Sequence, residues 1–175
     1  IPSFYTLVYA GESKYYITED FPSQQFNHVI LCVPLGKDTT WLECTDQTLE
    51  SGYLGNFTDN RPALLITENG GILVKTPKYS MNDNAQLRKI KATIDEEGNL
   101  LADIHTRYSG MQQDFIHGLI HQLSKDKVKE YLHEELDFAT FDVNSFEYTT
   151  EKLAIPAINE KLNIFVSGYA TITGK

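Results

Sequence analysis

Basic side chains are scarce in this sequence. Lys and Arg number 15 against 24 Asp and Glu, leaving a formal charge of -9 and a pI near 4.9. Without a basic stripe to displace counterions from phosphates, nucleic acid and anionic membrane surfaces are excluded as expected partners. Long apolar runs are also lacking: nothing approaches the roughly 18 residues of a membrane span, so no membrane span is expected. Residues 1–20 (IPSFYTLVYAGESKYYITED) have neither the basic start nor the apolar centre of a secretory signal. With only 2 cysteines there is no disulfide framework, and two thiols fit a reducing cytosol or a cell envelope equally, so the compartment stays open. Internal repeats and low-complexity tracts are lacking too.

What is present suffices for one ordinary core or two small ones, since 41% of the 175 residues are apolar. The chain starts at Ile1 and reads as a strand at once, which suggests a segment of a longer protein. Strands are expected over 4–10, 26–33 and 41–45, the last two joined by the turn residues of PLGKDTT. A second hairpin is expected in ALLITENGGILVKTP, with Asn69, Gly70 and Gly71 at its turn. PKYSMNDN, residues 77–84, reads as a linker between two domains, 1–77 and 85–175. Beyond it, AQLRKIKATIDEEGNLLADIHTRYSG alternates about DEEGN as a third hairpin. From 111 the period changes to that of a helix, with Met111, Phe115, Leu119 and Leu123 on its inner face. Ser124 is placed to cap a second helical piece running to about Leu136. Short alternating strands close the chain. The expected fold class is α+β: an antiparallel β-rich sheet, then an antiparallel β domain with one kinked or two short helices.

Chemistry concentrates in FNHVILCVPLGKDTTWLECTD. If the hairpin is symmetric about Lys37, facing residues have numbers summing to 74 and His28 faces Asp46. Opposed side chains in an antiparallel pair have Cβ atoms roughly 4.5–5.5 Å apart, so the carboxylate would accept the imidazole Nδ1 proton and leave Nε2 as an acid or base. Cys32 and Cys44 are then diagonal, too far apart to bond without backbone movement, and two free, buried thiols are expected. In this register Trp41, Glu43 and Thr45 lie on the face opposite His28. A slip of one residue would reverse every assignment of face.

The same stretch resembles the second half of the transglutaminase-like core, a papain-like fold. In that superfamily a strand bearing the catalytic His is followed by a turn and a strand whose Trp leads to the catalytic Asp. His28 in NHV and Asp46 in TDQT, just after Trp41, match those positions, although the family's usual Asp-Pro-Thr is Asp-Gln-Thr here. The segment GYLGNFTDNRPALLITENGGILVKTP looks like the continuation in bacterial members that carry domains of unknown function. The resemblance covers residues 1 to about 77 and implies a Cys-His-Asp hydrolase or acyltransferase acting on peptide or protein amides, without a cofactor. An envelope location follows from the same resemblance and from nothing else.

The nucleophile is missing from this pattern. Cys32 lies two pleats from His28, roughly 13 Å at about 3.3 Å per residue, and neither cysteine begins a helix. The expectation is therefore a fragment with His28 and Asp46 but no nucleophile, inert alone. The competing expectation is a non-catalytic binding or structural module with a relic His and Asp. HGLIH sets His117 and His121 at helical i,i+4 spacing, but no third ligand completes a metal set, and the helical phase turns both toward water. Asn56-Phe57-Thr58 fits a glycosylation acceptor and carries no weight alone. Tyr5, Tyr9, Tyr15 and Tyr16 are explained by strand propensity more simply than by sugar stacking.

Overall fold

A computed structural model describes residues 2–11 and 17–173; Tyr15 and Tyr16 lie outside the described residues. The chain forms two compact units, one running to Asp83 and taking in Lys152–Pro156, the other formed by Asn84–Glu151 and the residues from Ala157 on. Both are built on antiparallel sheets, and the fold class is α+β. No helix among the described residues is long and apolar enough to cross a membrane.

The first unit is a five-stranded sheet: β1 (Phe4–Val8), β2 (His28–Leu35), β3 (Asp38–Leu42), β4 (Pro62–Thr67) and β5 (Gly70–Lys75), in the order β3-β2-β1-β4-β5. Strand periodicity sends Val8, Ile30, Cys32, Trp41 and Ala63 to one face, where they close on Leu54. Leu54 belongs to the loop entering α1 (Gly55–Thr58), a single turn that the apolar pattern had not indicated. Arg61 ties this loop down. Its buried guanidinium donates to the carbonyls of Tyr9 (2.6 Å), Asp59 (2.9 Å) and Asn56 (3.1 Å). Burial lowers its pKa, and the nearby Asp59 partly offsets this.

The β2–β3 register corrects the sequence expectation. Leu35 pairs with Asp38, Cys32 with Trp41 and Leu31 with Leu42, so facing numbers sum to 73. The turn is two residues, Gly36-Lys37, with Gly36 at φ 68°. A positive φ at the first loop position is what glycine supplies in tight hairpins, whose twist matches that of the flanking strands. That one-residue shift brings Trp41 to the face of His28, Ile30 and Cys32.

The second unit is a four-stranded sheet of β6 (Gln86–Ile94), β7 (Leu100–Ser109), β8 (Phe141–Glu151) and β9 (Ala157–Val166), ordered β6-β7-β9-β8. In β7, residues alternate buried and exposed for most of its length. Leu100, Ala102 and Ile104 join Val143, Leu162 and Ile164 in a core closed by Leu119, Val128 and Leu132. The last three come from α2 (Met111–Gln122) and α3 (Lys125–Glu135). Ser124 caps α3, its hydroxyl accepting from the Lys127 amide. The phase of α2 differs from expectation: Gln113, Ile116, His117 and Leu119 are buried, while Phe115 is 61% exposed. His117 therefore faces inward, not toward water; His121 is exposed and its ring stacks on that of His117 at 4.1 Å.

The junction is structured at both ends. Tyr79 OH accepts from the Leu54 amide in the first unit, and Asn84 Oδ1 accepts from the Met111 amide, which opens α2 in the second. Between them Ser80 and Asp83 close a turn, Asp83 Oδ2 accepting from both the amide and the hydroxyl of Ser80 at 2.7 Å.

Candidate functional site

His28 opens β2 opposite Val8, on the inner face of the first sheet. Asn27, which had no expected role, fixes this end of the strand. Its Oδ1 accepts from the Ala10 amide (2.6 Å), its Nδ2 donates to the Ala10 carbonyl (3.1 Å), and its own amide donates to Val8. The side-chain amide thus continues the β1–β2 pairing past its last regular rung and holds the residue before His28 in place.

The carboxylate on His28 is that of Glu43. Imidazole Nε2 lies 2.9 Å from Oε1 and 3.1 Å from Oε2. With facing numbers summing to 73, Glu43 is on the face of His28 and one rung off it diagonally, which suits a long side chain. Glu43 is locked from several sides. Oε1 also accepts from the hydroxyl (2.8 Å) and amide (3.2 Å) of Thr45, and Oε2 accepts from the hydroxyl of the buried Thr58 at 3.4 Å. Its side chain is 3% exposed and that of His28 14%. A carboxylate accepts, so Nε2 carries a proton in this pair, and in the neutral ring the lone pair is on Nδ1. The edge of the Phe57 ring meets the imidazole with centroids 5.2 Å apart.

Asp46 does not take the place expected for it. It is exposed, beyond the end of β3, and its Oδ1 accepts from the amide and hydroxyl of Thr48, each at 2.7 Å, in a local turn. A hairpin centred half a residue earlier moves the facing partner of His28 off residue 46, and β3 ends at Leu42, before the strand could reach it. Glu43 and Asp46 each stand two residues before a threonine, so the register of the hairpin, not the local motif, distinguishes them.

Both cysteines are free thiols, in different settings. Cys32 lies in the core beside Trp41, and burial raises its pKa. Cys44 is exposed, contrary to the buried setting expected for it, because the register change turns it away from the core. Its Sγ donates to the Leu42 carbonyl at 3.6 Å. Neither thiol is placed against Nδ1 of His28. Among the described residues no cluster of three or more His, Cys, Asp or Glu side chains could hold a metal ion.

A scan of protein-family models returns no match to this chain, and neither curated proteins nor solved structures give a significant one.

Proposed function

We propose that the first unit is the His–acid half of a transglutaminase-like cysteine site in which Glu43, not Asp46, is the acid. The observation that carries this reading is the buried Glu43 carboxylate on Nε2 of His28, which fixes the tautomer and leaves Nδ1 to act as base. The acid would then fall in Glu-Cys-Thr, an acid-x-Thr spacing that Asp46-Gln47-Thr48 shares, so it is the burial of Glu43 on His28 and not the motif that selects it.

The nucleophile would be a cysteine outside these 175 residues, because Cys32 is sealed in the core and Cys44 leaves the hairpin on the other face. Nδ1 would take the thiol proton, the thiolate would attack an amide carbonyl, and the same proton would pass to the departing amine as the thioester forms. Water or a second amine would then release the acyl group, regenerating the thiol. Support also comes from the other face of the sheet. It carries Leu7, Leu31 and Leu64, half-buried, and Tyr5, Ile66 and Leu73, which are 52%, 42% and 40% exposed. A sheet apolar on both faces suits a middle layer with further chain packed on it.

The test is a thiol-reactive acyl probe applied to the longer protein. Labelling should fall by about 10²–10⁴-fold in His28→Ala and Glu43→Gln and stay unchanged in Asp46→Asn. In the 175-residue chain itself, the ¹⁵N shifts of the neutral His28 ring should show Nε2 protonated and Nδ1 bare. Labelling indifferent to His28 and Glu43 would leave the competing reading, a non-catalytic module. That reading draws on Thr45 and Thr58, whose bonds to Glu43 would serve the fold equally well.

A further inference from the structure

The second unit holds a cavity of about 250 Å³ between the sheet and helices α2 and α3. It opens to solvent beside the exposed Phe115 and Arg88, so a ligand could enter it without the core opening. It is below the ~300–1,000 Å³ typical of drug-sized ligands, which limits the occupant to a small molecule.

Its chemistry has two poles. At the floor lies Glu160, 4% exposed, with Oε1 accepting from Tyr108 OH (3.1 Å) and Oε2 from Tyr148 OH (2.8 Å). Each oxygen retains a lone pair, so the carboxylate can accept further bonds. On the wall contributed by β6, Arg88 donates through Nε to Thr106 Oγ1 (3.0 Å) and through Nη2 to the same Tyr108 hydroxyl (3.5 Å). Nη1 of Arg88 bonds to nothing among the described residues, so part of the guanidinium fork is unused. Anion and cation thus stand one hydroxyl apart in the same cavity. The helices line the rest of it with Phe115, Ile116, Tyr131 and Leu132 and with two polar side chains, Gln112 and the exposed Glu135, and Phe115 and Tyr131 form a ring pair at 5.6 Å. The exposed Phe115 is the residue by which α2 departs from a simple apolar face.

A simple carboxylate ligand would meet the Glu160 charge, and a simple amine would meet Arg88. A molecule with both charges on adjacent carbons and an apolar remainder satisfies both poles. We infer that this cavity binds a free α-amino acid with an apolar side chain, its carboxylate on Arg88, its ammonium on Glu160, and its side chain against Phe115 and Tyr131. The site lies within the second unit and does not depend on the reading of His28 and Glu43.

The probes are L-leucine and L-phenylalanine, titrated into the 175-residue chain and followed by calorimetry and amide ¹H–¹⁵N shifts. Saturable binding of at least one is expected, with shifts at Tyr108, Gln112 and Tyr131. N-acetyl-L-phenylalanine, without the ammonium, and phenethylamine, without the carboxylate, should each bind at least 10-fold more weakly. Arg88→Gln lies on an exposed edge strand and should leave the fold intact while weakening the amino acid at least 10-fold. Phe115→Ala should weaken phenylalanine more than it weakens leucine. Three results overturn the inference: neither amino acid binding, either single-charge analogue binding as tightly, or Arg88→Gln leaving affinity unchanged.

Discussion

Two carboxylates lie deep in the two units, and their partners set them apart. Glu43 is held by an imidazole and threonine hydroxyls, Glu160 by two tyrosine hydroxyls. Histidine as a residue type changes protonation within the physiological range, and a carboxylate beside an imidazole steadies its charged form. Tyrosine does not. Burial first, and then Glu160, raise the pKa values of Tyr108 and Tyr148, so both hydroxyls stay protonated as donors. The first arrangement suits proton transfer, while the second makes a fixed anion that holds β7, β8 and β9 together across the sheet.

That contrast is sharpest under substitution. Glu160→Ala strands two tyrosine hydroxyls in a part-buried place and should cost roughly 2–5 kcal/mol, read from urea unfolding of the second unit. Glu43→Gln keeps an acceptor oxygen for Nε2–H and should cost less than about 1.5 kcal/mol, while lowering the proposed labelling by about 10²–10⁴-fold. Equal losses of stability at the two positions would erase the distinction and make Glu43 a structural group like Glu160.

The turn glycines extend the comparison. Gly98, in the β6–β7 turn, has φ 85°, and a Cβ there would sit 2.2 Å from the Ala170 carbonyl oxygen, which is backbone and cannot swing aside. Gly36 has φ 68° with nothing within 4 Å. Gly36→Ala should therefore cost only the left-handed strain, about 1–2 kcal/mol, and Gly98→Ala more than about 2 kcal/mol because strain and collision add. Thermal unfolding of the two variants orders them, and a Gly36 variant at least as damaged as the Gly98 variant would mean that the β2–β3 turn has a second constraint.

Gly36 also explains how much of the site was legible. The short apolar runs of VILCV and WL identified the strands, and the turn residues identified the hairpin, but nothing local in PLGKDTT separates a loop centred on Lys37 from one centred between Gly36 and Lys37. Twist matching, a property of the paired strands, selects the shorter loop. Because side chains alternate with period two, that half-residue difference in centre exchanged Glu43 for Asp46 and brought Trp41 to the inner face. In α2 the failure has another origin. Apolar periodicity chose Phe115 as inward, whereas the buried face includes Gln113 and His117, which a hydrophobic pattern cannot mark. Ser124 was legible because capping is local chemistry.

The smallest effect concerns a carboxylate in neither setting. Glu151 closes β8 at the surface, 36% exposed, and accepts from Arg107 Nη2 at 2.8 Å and Asn159 Nδ2 at 2.7 Å. Those bonds, Arg107's first, hold its carboxyl below the usual range. A group whose folded pKa is depressed contributes stability above its unfolded value, about 4.3, and loses it as the pH falls through the folded pKa. Solvent screening limits the contribution to under about 1 kcal/mol. Glu151→Gln should accordingly lower stability by that amount at pH 7, with the gap to the parent chain closing as the pH falls through the depressed folded pKa and narrowing in 1 M salt. A gap that persists once the carboxyl is protonated would mean that Glu151 acts through packing or its bond to Asn159 and not through its charge.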